Sequence, residues 1–339
     1  MPELRQNRFT KEWVIIATER CKRPEQLIVP RESKPRLKYV ESCPFCPGNE
    51  DNAPGEVWSV PSGKDWRVRV VPNKFAALAR DVEPKRKIVR SLRTMEGFGI
   101  HDVVVEGRDH DLTTAQLPTA QVVRILQAYQ TRYREMSNDA RVANVTIFKN
   151  HGAGGGASME HPHSQMIATP VVSLHNRTRL HEALRHHDEF GECIFCQVIE
   201  EELAAKDRIV MATKHFVALE MFASPTPFTT HIYPRRHNAN FGATDGHEIQ
   251  DLADVLRTVL AKLYVGLQDP DFNYTIRTAP AENQGVKYYH WYLSIIPRLT
   301  KVAGFELGSG MFINTVLPEA AAEFLRNVKV DEAAKAAGA

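Results

Sequence analysis

Apolar positions recur at helical spacing in two stretches. Val122, Leu126, Tyr129 and Tyr133 form the first set, and Leu252, Leu256, Val259 and Leu263 the second. Each predicts an amphipathic helix with one face in a core. Before each helix lies a β-branched run that ends in histidine: Val103 to His110, and Thr230 to His237. These read as strands closed by a turn. After each helix the pattern alternates again, at Asn144-Val145-Thr146-Ile147 and at Asn273-Tyr274-Thr275-Ile276. Counting 17 residues from each asparagine reaches a histidine, His161 or His290, which opens another strand-like segment ending near Pro170 or Pro297.

The same elements thus occur twice, in the same order and at near-equal intervals. This predicts one duplicated α+β unit, with antiparallel strands and helices in each copy. Residues 1–172 form the expected first domain and 173–339 the second, and the polar, His-rich stretch Leu174 to Glu192 reads as a connecting segment. At 339 residues the chain is long enough for two cores without disulfide staples. Hydrophobic residues make up 43% and charged residues 25%, which excludes a disordered chain. A net charge of +2 speaks against a nucleic-acid binder, and no run of about 18 apolar residues predicts a membrane span. The polar start, Met1 to Arg8, lacks the apolar core of a secretory signal, so a cytoplasmic protein is expected.

Four of the five cysteines fall in C-x-x-C pairs, Cys43/Cys46 and Cys193/Cys196, while Cys21 stands alone. In a reducing compartment such pairs hold metal more often than they form disulfides. Each copy supplies two cysteines and then two histidines in the same order. The expected sets are Cys43, Cys46, His110 and His161, then Cys193, Cys196, His237 and His290, with His231 competing for the place of His237. Two thiolates and two imidazoles make a closed tetrahedral zinc site with no open position for chemistry.

The copies differ after the second histidine. The first continues His161-Pro162-His163-Ser164-Gln165, whereas the second continues His290-Trp291-Tyr292-Leu293-Ser294. Residues i and i+2 of a strand share a face, so a strand pinned at His161 presents His163 and then Gln165. Just upstream lies the glycine-rich stretch Asn150 to Ser158, whose backbone N–H groups can approach an anion. Without a following Gly-Lys-Ser/Thr it is not a Walker A loop. A presented imidazole beside a phosphate cradle predicts nucleophilic attack on phosphorus through a phosphoramidate, with Gln165 bonding the phosphoryl oxygens.

With these residues the chain resembles the galactose-1-phosphate uridylyltransferase family of the histidine-triad superfamily, from about Asn7 to Pro318. The resemblance implies two histidine-triad-like halves, a homodimer, and ping-pong transfer of UMP from UDP-glucose to a hexose 1-phosphate through His163. It also implies zinc on Cys43, Cys46, His110 and His161. Gln165, Asn150, Gly156 and Ser158 would contact the phosphoryl groups, Arg20 and Arg23 the diphosphate, Asn73 the nucleoside and Glu306 the hexose. Uridylyltransferases of the family carry an iron-type site in the second half, where the residues here suggest a second zinc. Many also have Asp in place of Lys74 and Tyr in place of Phe305. Phe45, Asp102 to Glu106 and Gly304 to Gly310 look more like the ADP-glucose phosphorylase branch, which transfers AMP through the same histidine and accepts inorganic phosphate. Uridylyl transfer, the commoner activity of the family, stands first and adenylyl transfer second. A histidine-triad hydrolase, with water as acceptor, is the remaining enzymatic reading.

Overall fold

The computed structural model describes residues 2–17, 24–28 and 36–330. Fifteen strands occur among them: β1 (Glu3–Gln6), β2 (Trp13–Ile16), β3 (Trp58–Val60), β4 (Val68–Pro72), β5 (Arg86–Val89), β6 (Leu92–Met95), β7 (Ile100–Val105), β8 (Asn144–His151), β9 (His163–Thr169), β10 (Ile209–Ala212), β11 (Phe216–Glu220), β12 (Thr230–Pro234), β13 (Phe272–Arg277), β14 (Tyr292–Pro297) and β15 (Phe312–Asn314). The α-helices are α1 (Thr119–Ser137), α2 (Leu174–Phe190), α3 (Ile194–Ala205), α4 (Gly246–Leu267), α5 (Gly304–Ser309) and α6 (Pro318–Asn327). None of these helices is long and apolar enough to cross a membrane.

Ten strands form one antiparallel sheet in the order β10-β11-β12-β14-β13-β8-β9-β7-β4-β3. From either edge inward the corresponding strands follow the same sequence, so the duplication is written into the topology. The copies meet where β8 pairs with β13, from Phe272↔His151 to Ile276↔Ile147. Both long helices lie on one face of this sheet. Ile125, Leu126 and Tyr129 of α1, Leu252, Leu256 and Leu263 of α4, and Ile147, Met166, Leu293 and Ile295 of the strands belong to a single buried cluster. One core therefore serves both halves, and apolar burial at roughly 25 cal/mol per Å² is continuous across the seam.

The helix ends follow local chemistry. Asp245 accepts from the Glu248 backbone and Glu248 returns the bond, a capping box that starts α4. The stretch Leu174 to Glu192, expected as a connector, is mostly helix: Ser173 caps α2 by accepting from the Asn176 N–H, and Gly191 ends it at φ 75°. Its weak apolar stripe hides it from a periodicity reading, since only Ala183 and His186 are buried. β9 begins at His163 rather than His161, because Pro162 offers no N–H to the ladder.

Beneath β9 lies a buried charged pair. Lys149 of β8 and Glu106, just past β7, are 1% and 0% exposed, and Lys149 Nζ donates to Glu106 Oε2 at 2.6 Å. Thr114 Oγ1 donates to the same oxygen at 2.9 Å, and the Tyr129 and Tyr274 hydroxyls lie 3.2 and 3.4 Å from Oε1. Removing one partner of such a pair strands the other charge in the core. Lys149→Met is expected to cost about 3–5 kcal/mol in a urea unfolding titration, with a smaller loss in the double variant Lys149→Met/Glu106→Gln. Equal losses in both would show that the charge pairing contributes nothing.

Candidate active site

The turn Cys43-Pro44-Phe45-Cys46 is closed by Cys46 N–H donating to the Cys43 carbonyl at 3.2 Å, and Asn49 Nδ2 donates to the same carbonyl at 2.8 Å. The loop after β7 brings His110 to it, and the residue two before β9 brings His161. All four residues are buried, and their ligand atoms lie within 4.8 Å of one another. Cys46 Sγ is 3.5 Å from His110 Nδ1 and 3.6 Å from His161 Nδ1. His161 Nε2–H donates to the Gly107 carbonyl at 2.9 Å, which leaves Nδ1 free for a ligand. Burial drives this imidazole down to about 4, so it stays neutral as a metal ligand must.

The second half repeats the arrangement. Cys193 immediately precedes α3 and Cys196 lies within its first turn. Cys196 Sγ is 3.3 Å from His237 Nδ1 and 3.6 Å from His290 Nδ1. His290 Nε2–H donates to the Pro234 carbonyl at 2.8 Å, and His237 Nε2 faces the Val286 carbonyl at 3.4 Å. These backbone acceptors orient the rings as outer-shell partners of metal-bound histidines do. Each group could hold one metal ion, with two sulfurs and two nitrogens suited to a tetrahedral ion. His231 is not part of the second group; its Nδ1 lies 2.9 Å from the Tyr233 hydroxyl.

Two residues beyond His161, His163 opens β9. Its Nδ1–H donates to the His161 carbonyl at 2.9 Å, so the lone pair resides on Nε2. The ring is 7% exposed, and burial is the main push that holds it below its ordinary value. Lys149 Nζ donates to the His163 carbonyl at 3.2 Å, and the Glu106 N–H donates to the Pro162 carbonyl at 3.1 Å. All three carbonyls of His161-Pro162-His163 are thus engaged.

His163 lines a cavity of ≈ 540 Å³ with Arg36, Lys149, Asn150, His151 and Ser158. The glycine turn forms one wall. A Cβ at Gly155 would stand 2.7 Å from the Phe272 carbonyl oxygen, and Gly156 has φ +82°, so both positions require glycine. Second-half residues hold this turn: Asn273 Nδ2 donates to the Gly155 carbonyl at 2.6 Å and to Asn150 Oδ1 at 2.9 Å, and Asp271 Oδ2 accepts from Gly154 N–H at 2.8 Å. His151 Nε2 lies 2.8 Å from Asp269 Oδ1 at the rim. Asn150 and Gly156 also meet, through Asn150 Nδ2 donating to the Gly156 carbonyl at 3.3 Å.

Gln165 shares the open face of β9 with His163, outside the cavity lining. Its Oε1 accepts from His101 Nε2 at 2.8 Å and lies 3.5 Å from Asn73 Nδ2, which brings Asn73 and Gln165 together. Glu306 sits apart: it is on α5, where Oε2 accepts from the Ala303 N–H at 3.1 Å. Arg20 and Arg23 lie outside the described residues. Sequence reading missed Lys149, Glu106, His101, Asp271 and Asn273. The signal for Lys149 was available: it continues the buried alternation Val145, Ile147, Lys149 in β8, and a lysine on an apolar face needs a carboxylate.

Residues 1–173 match the family model described as galactose-1-phosphate uridyl transferase, N-terminal domain, and residues 99–335 match a domain of unknown function, DUF4921. The chain is 36% identical to an ADP-glucose phosphorylase of Arabidopsis thaliana, over 97% of this chain and 93% of that protein. It is 31% identical to a galactose-1-phosphate uridylyltransferase of Thermotoga maritima, over 98% and 100%. The crystal structure of an Arabidopsis ADP-glucose phosphorylase with bound ADP-glucose superposes with a TM-score of 0.85 at 34% identity, covering 98% and 100% of the two chains. A uridylyltransferase structure gives 0.75 at 26% identity, covering 97% and 98%. A fold, a paired set of Cys/His groups and a His-Pro-His strand beside a glycine turn agree with these matches, and the chain belongs to the galactose-1-phosphate uridylyltransferase family of nucleotidyltransferases.

Proposed function

We propose that this protein transfers a nucleoside monophosphate from a nucleotide sugar to a phosphate acceptor through a covalent intermediate on His163. The observation that carries the reading is the tautomer of that residue: Nδ1–H is committed to the His161 carbonyl, which leaves Nε2 as the nucleophilic nitrogen of a ring lining the cleft. In the first step Nε2 attacks the α-phosphorus, and the bond from that phosphorus to the bridging oxygen breaks, releasing hexose 1-phosphate. In the second step a phosphate oxygen of the acceptor attacks the same phosphorus, the P–N bond breaks, and neutral imidazole is restored. The His161 carbonyl stabilises the cationic ring between the two steps.

Gln165, Asn150, Gly156 and Ser158 are assigned to the phosphoryl oxygens and Asn73 to the nucleoside, with Arg20 and Arg23 as diphosphate contacts. Contact from Glu306 to a hexose would come from a second copy of the chain, because its carboxylate is absent from the cleft lining. Zinc is the ion whose chemistry fits both Cys/His groups; iron is the alternative for the second. The ion supplies rigidity, since four protein ligands close each set.

The donor put first is ADP-glucose, with inorganic phosphate or a hexose 1-phosphate as acceptor. Similarity over nearly the whole length to a protein named ADP-glucose phosphorylase supports it. UDP-glucose with a hexose 1-phosphate acceptor is the second reading, supported by the relatives named galactose-1-phosphate uridylyltransferase.

Intact-protein mass spectrometry after mixing with ADP-glucose or UDP-glucose separately is expected to show one added AMP, or one added UMP for the second reading. Continuous release of nucleoside monophosphate without an acceptor would identify a hydrolase instead. His163→Ala should keep its metal and its melting temperature but lose the adduct, with kcat falling by roughly 10⁴-fold or more; an adduct on that variant would refute the assignment. Cys43→Ser should lower zinc by one ion per chain and reduce the melting temperature by roughly 5 °C or more. Wild-type protein without zinc by elemental analysis would sink the metal assignment.

A further inference from the structure

β14 carries Tyr292 and Ser294 where β9 carries His163 and Gln165, and His231 of β12 pairs with Ser294 as Val103 of β7 pairs with Gln165. In the first half this face opens into the cleft. In the second half it is roofed by the N-terminal β1–β2 segment and by α2. Under the roof remains a cavity of ≈ 100 Å³ lined by Arg179, Arg277, His231, Tyr292, Ser294 and Glu12, among others. None of its residues lines the His163 cleft.

The charges in this cavity do not balance. Arg179 NH1 donates to the His175 carbonyl at 3.0 Å, and its charge lies against the Tyr292 hydroxyl. The Arg277 guanidinium, on a strand whose backbone pairs with β14, has no hydrogen bond or ion pair among the described residues. The one carboxylate, Glu12, accepts from Thr10 Oγ1 at 2.8 Å. Two guanidinium groups, which do not deprotonate in proteins, thus face one acid. A half-buried guanidinium without an acceptor is costly, and its planar fork matches the oxygens of a tetrahedral anion. Tyr292 and Ser294 add hydroxyl donors. On the far side of Arg277 a second cavity of ≈ 230 Å³, lined also by Ser173, His175 and Asn176, offers room for a group esterified to that anion.

We infer that the second half binds a phosphate group between Arg179 and Arg277, at a site separate from the His163 cleft. The phosphate belongs to free inorganic phosphate or to a sugar phosphate; the 100 Å³ cavity admits the oxyanion, and the adjoining one the sugar. Occupancy would tie β1–β2 and α2 to the strands beneath them, replacing a charge repulsion with a bridge.

Crystals of the wild-type protein soaked in tungstate, a heavy phosphate analogue, should show an anomalous peak within hydrogen-bond reach of both guanidiniums. In solution at constant ionic strength, phosphate should raise the melting temperature saturably. Arg277→Met should weaken that response at least tenfold in midpoint concentration, and Arg277→Lys less. Nucleotidyl adduct formation should be unchanged in both. Displacement of tungstate by glucose 1-phosphate as well as by phosphate would assign a sugar phosphate, and displacement by phosphate alone the free ion; both outcomes support the site. Tungstate in the cleft alone, or a phosphate response identical in wild type and Arg277→Met, overturns it. Should Arg277→Met fail to fold, the tungstate peak on the wild type decides.

Discussion

The ion pair between Lys149 and Glu106 runs underneath the strand that carries His163. In the sheet β9 lies between β8 and β7, and Lys149 comes from β8 while Glu106 follows β7. The pair therefore reaches around β9 from both sides, and its ammonium also takes the His163 carbonyl at 3.2 Å. Desolvating two charges is expensive, and an apolar pair of equal volume is often as stable. What the pair adds is placement: an ammonium between Glu106 and the His163 carbonyl, with Glu106 itself met by two tyrosine hydroxyls, has few alternative geometries. Tyr274, whose hydroxyl is 2.6 Å from that of Tyr129, extends the network into β13 and hence across the seam between halves. His163, the proposed nucleophile, is thus positioned by both copies of the duplicated unit, although only one copy bears it.

This dependence explains what the sequence revealed and what it hid. The repeat, both long helices and both Cys/His groups were legible, because each rests on short-range regularities: a 3.6-residue period, a two-residue alternation, a C-x-x-C spacing. His163 and Gln165 on one face followed from the same alternation. The helical nature of Leu174 to Phe190 did not, because a helix with two buried residues has almost no apolar stripe to read. Nor did the roles of Asp271 and Asn273, which support the glycine turn from more than a hundred residues away; a strand-like pattern at Asn273 does not say which strand it pairs with, and only the β8–β13 pairing shows where they reach. Continuity of the sheet was equally invisible, since strand order is a property of pairing and not of pattern.

The two halves also separate scaffold from chemistry. Both keep a Cys/His group that joins the loop after an inner strand to the start of the next, and both tie the last histidine's Nε2–H to a backbone carbonyl, Gly107 in one and Pro234 in the other. The Cys/His group is thus common to the half that bears the proposed nucleophile and to the half without one. What differs lies two residues on. His163 meets an open face and a turn of glycines, whereas Tyr292 meets a roof, stacks on His231 with ring centroids 4.9 Å apart, and shares its cavity with two arginines.

The Cys/His group, found in both halves, therefore does not by itself make a reactive site. Three further conditions have to coincide in the first half: a nitrogen lone pair freed by an intrachain hydrogen bond, backbone that can approach a phosphate because it lacks Cβ atoms, and space for a leaving group. The second half retains the strand and the Cys/His group while failing the first two conditions, since Tyr292 offers a phenol in place of an imidazole nitrogen and Ala281 to Lys287 stands in place of the glycine-rich turn. A half without the cleft residues is free to do structural work for the other. Asn273 and Asp271 do that work directly, by holding the turn against which the transferred phosphoryl group is proposed to lie.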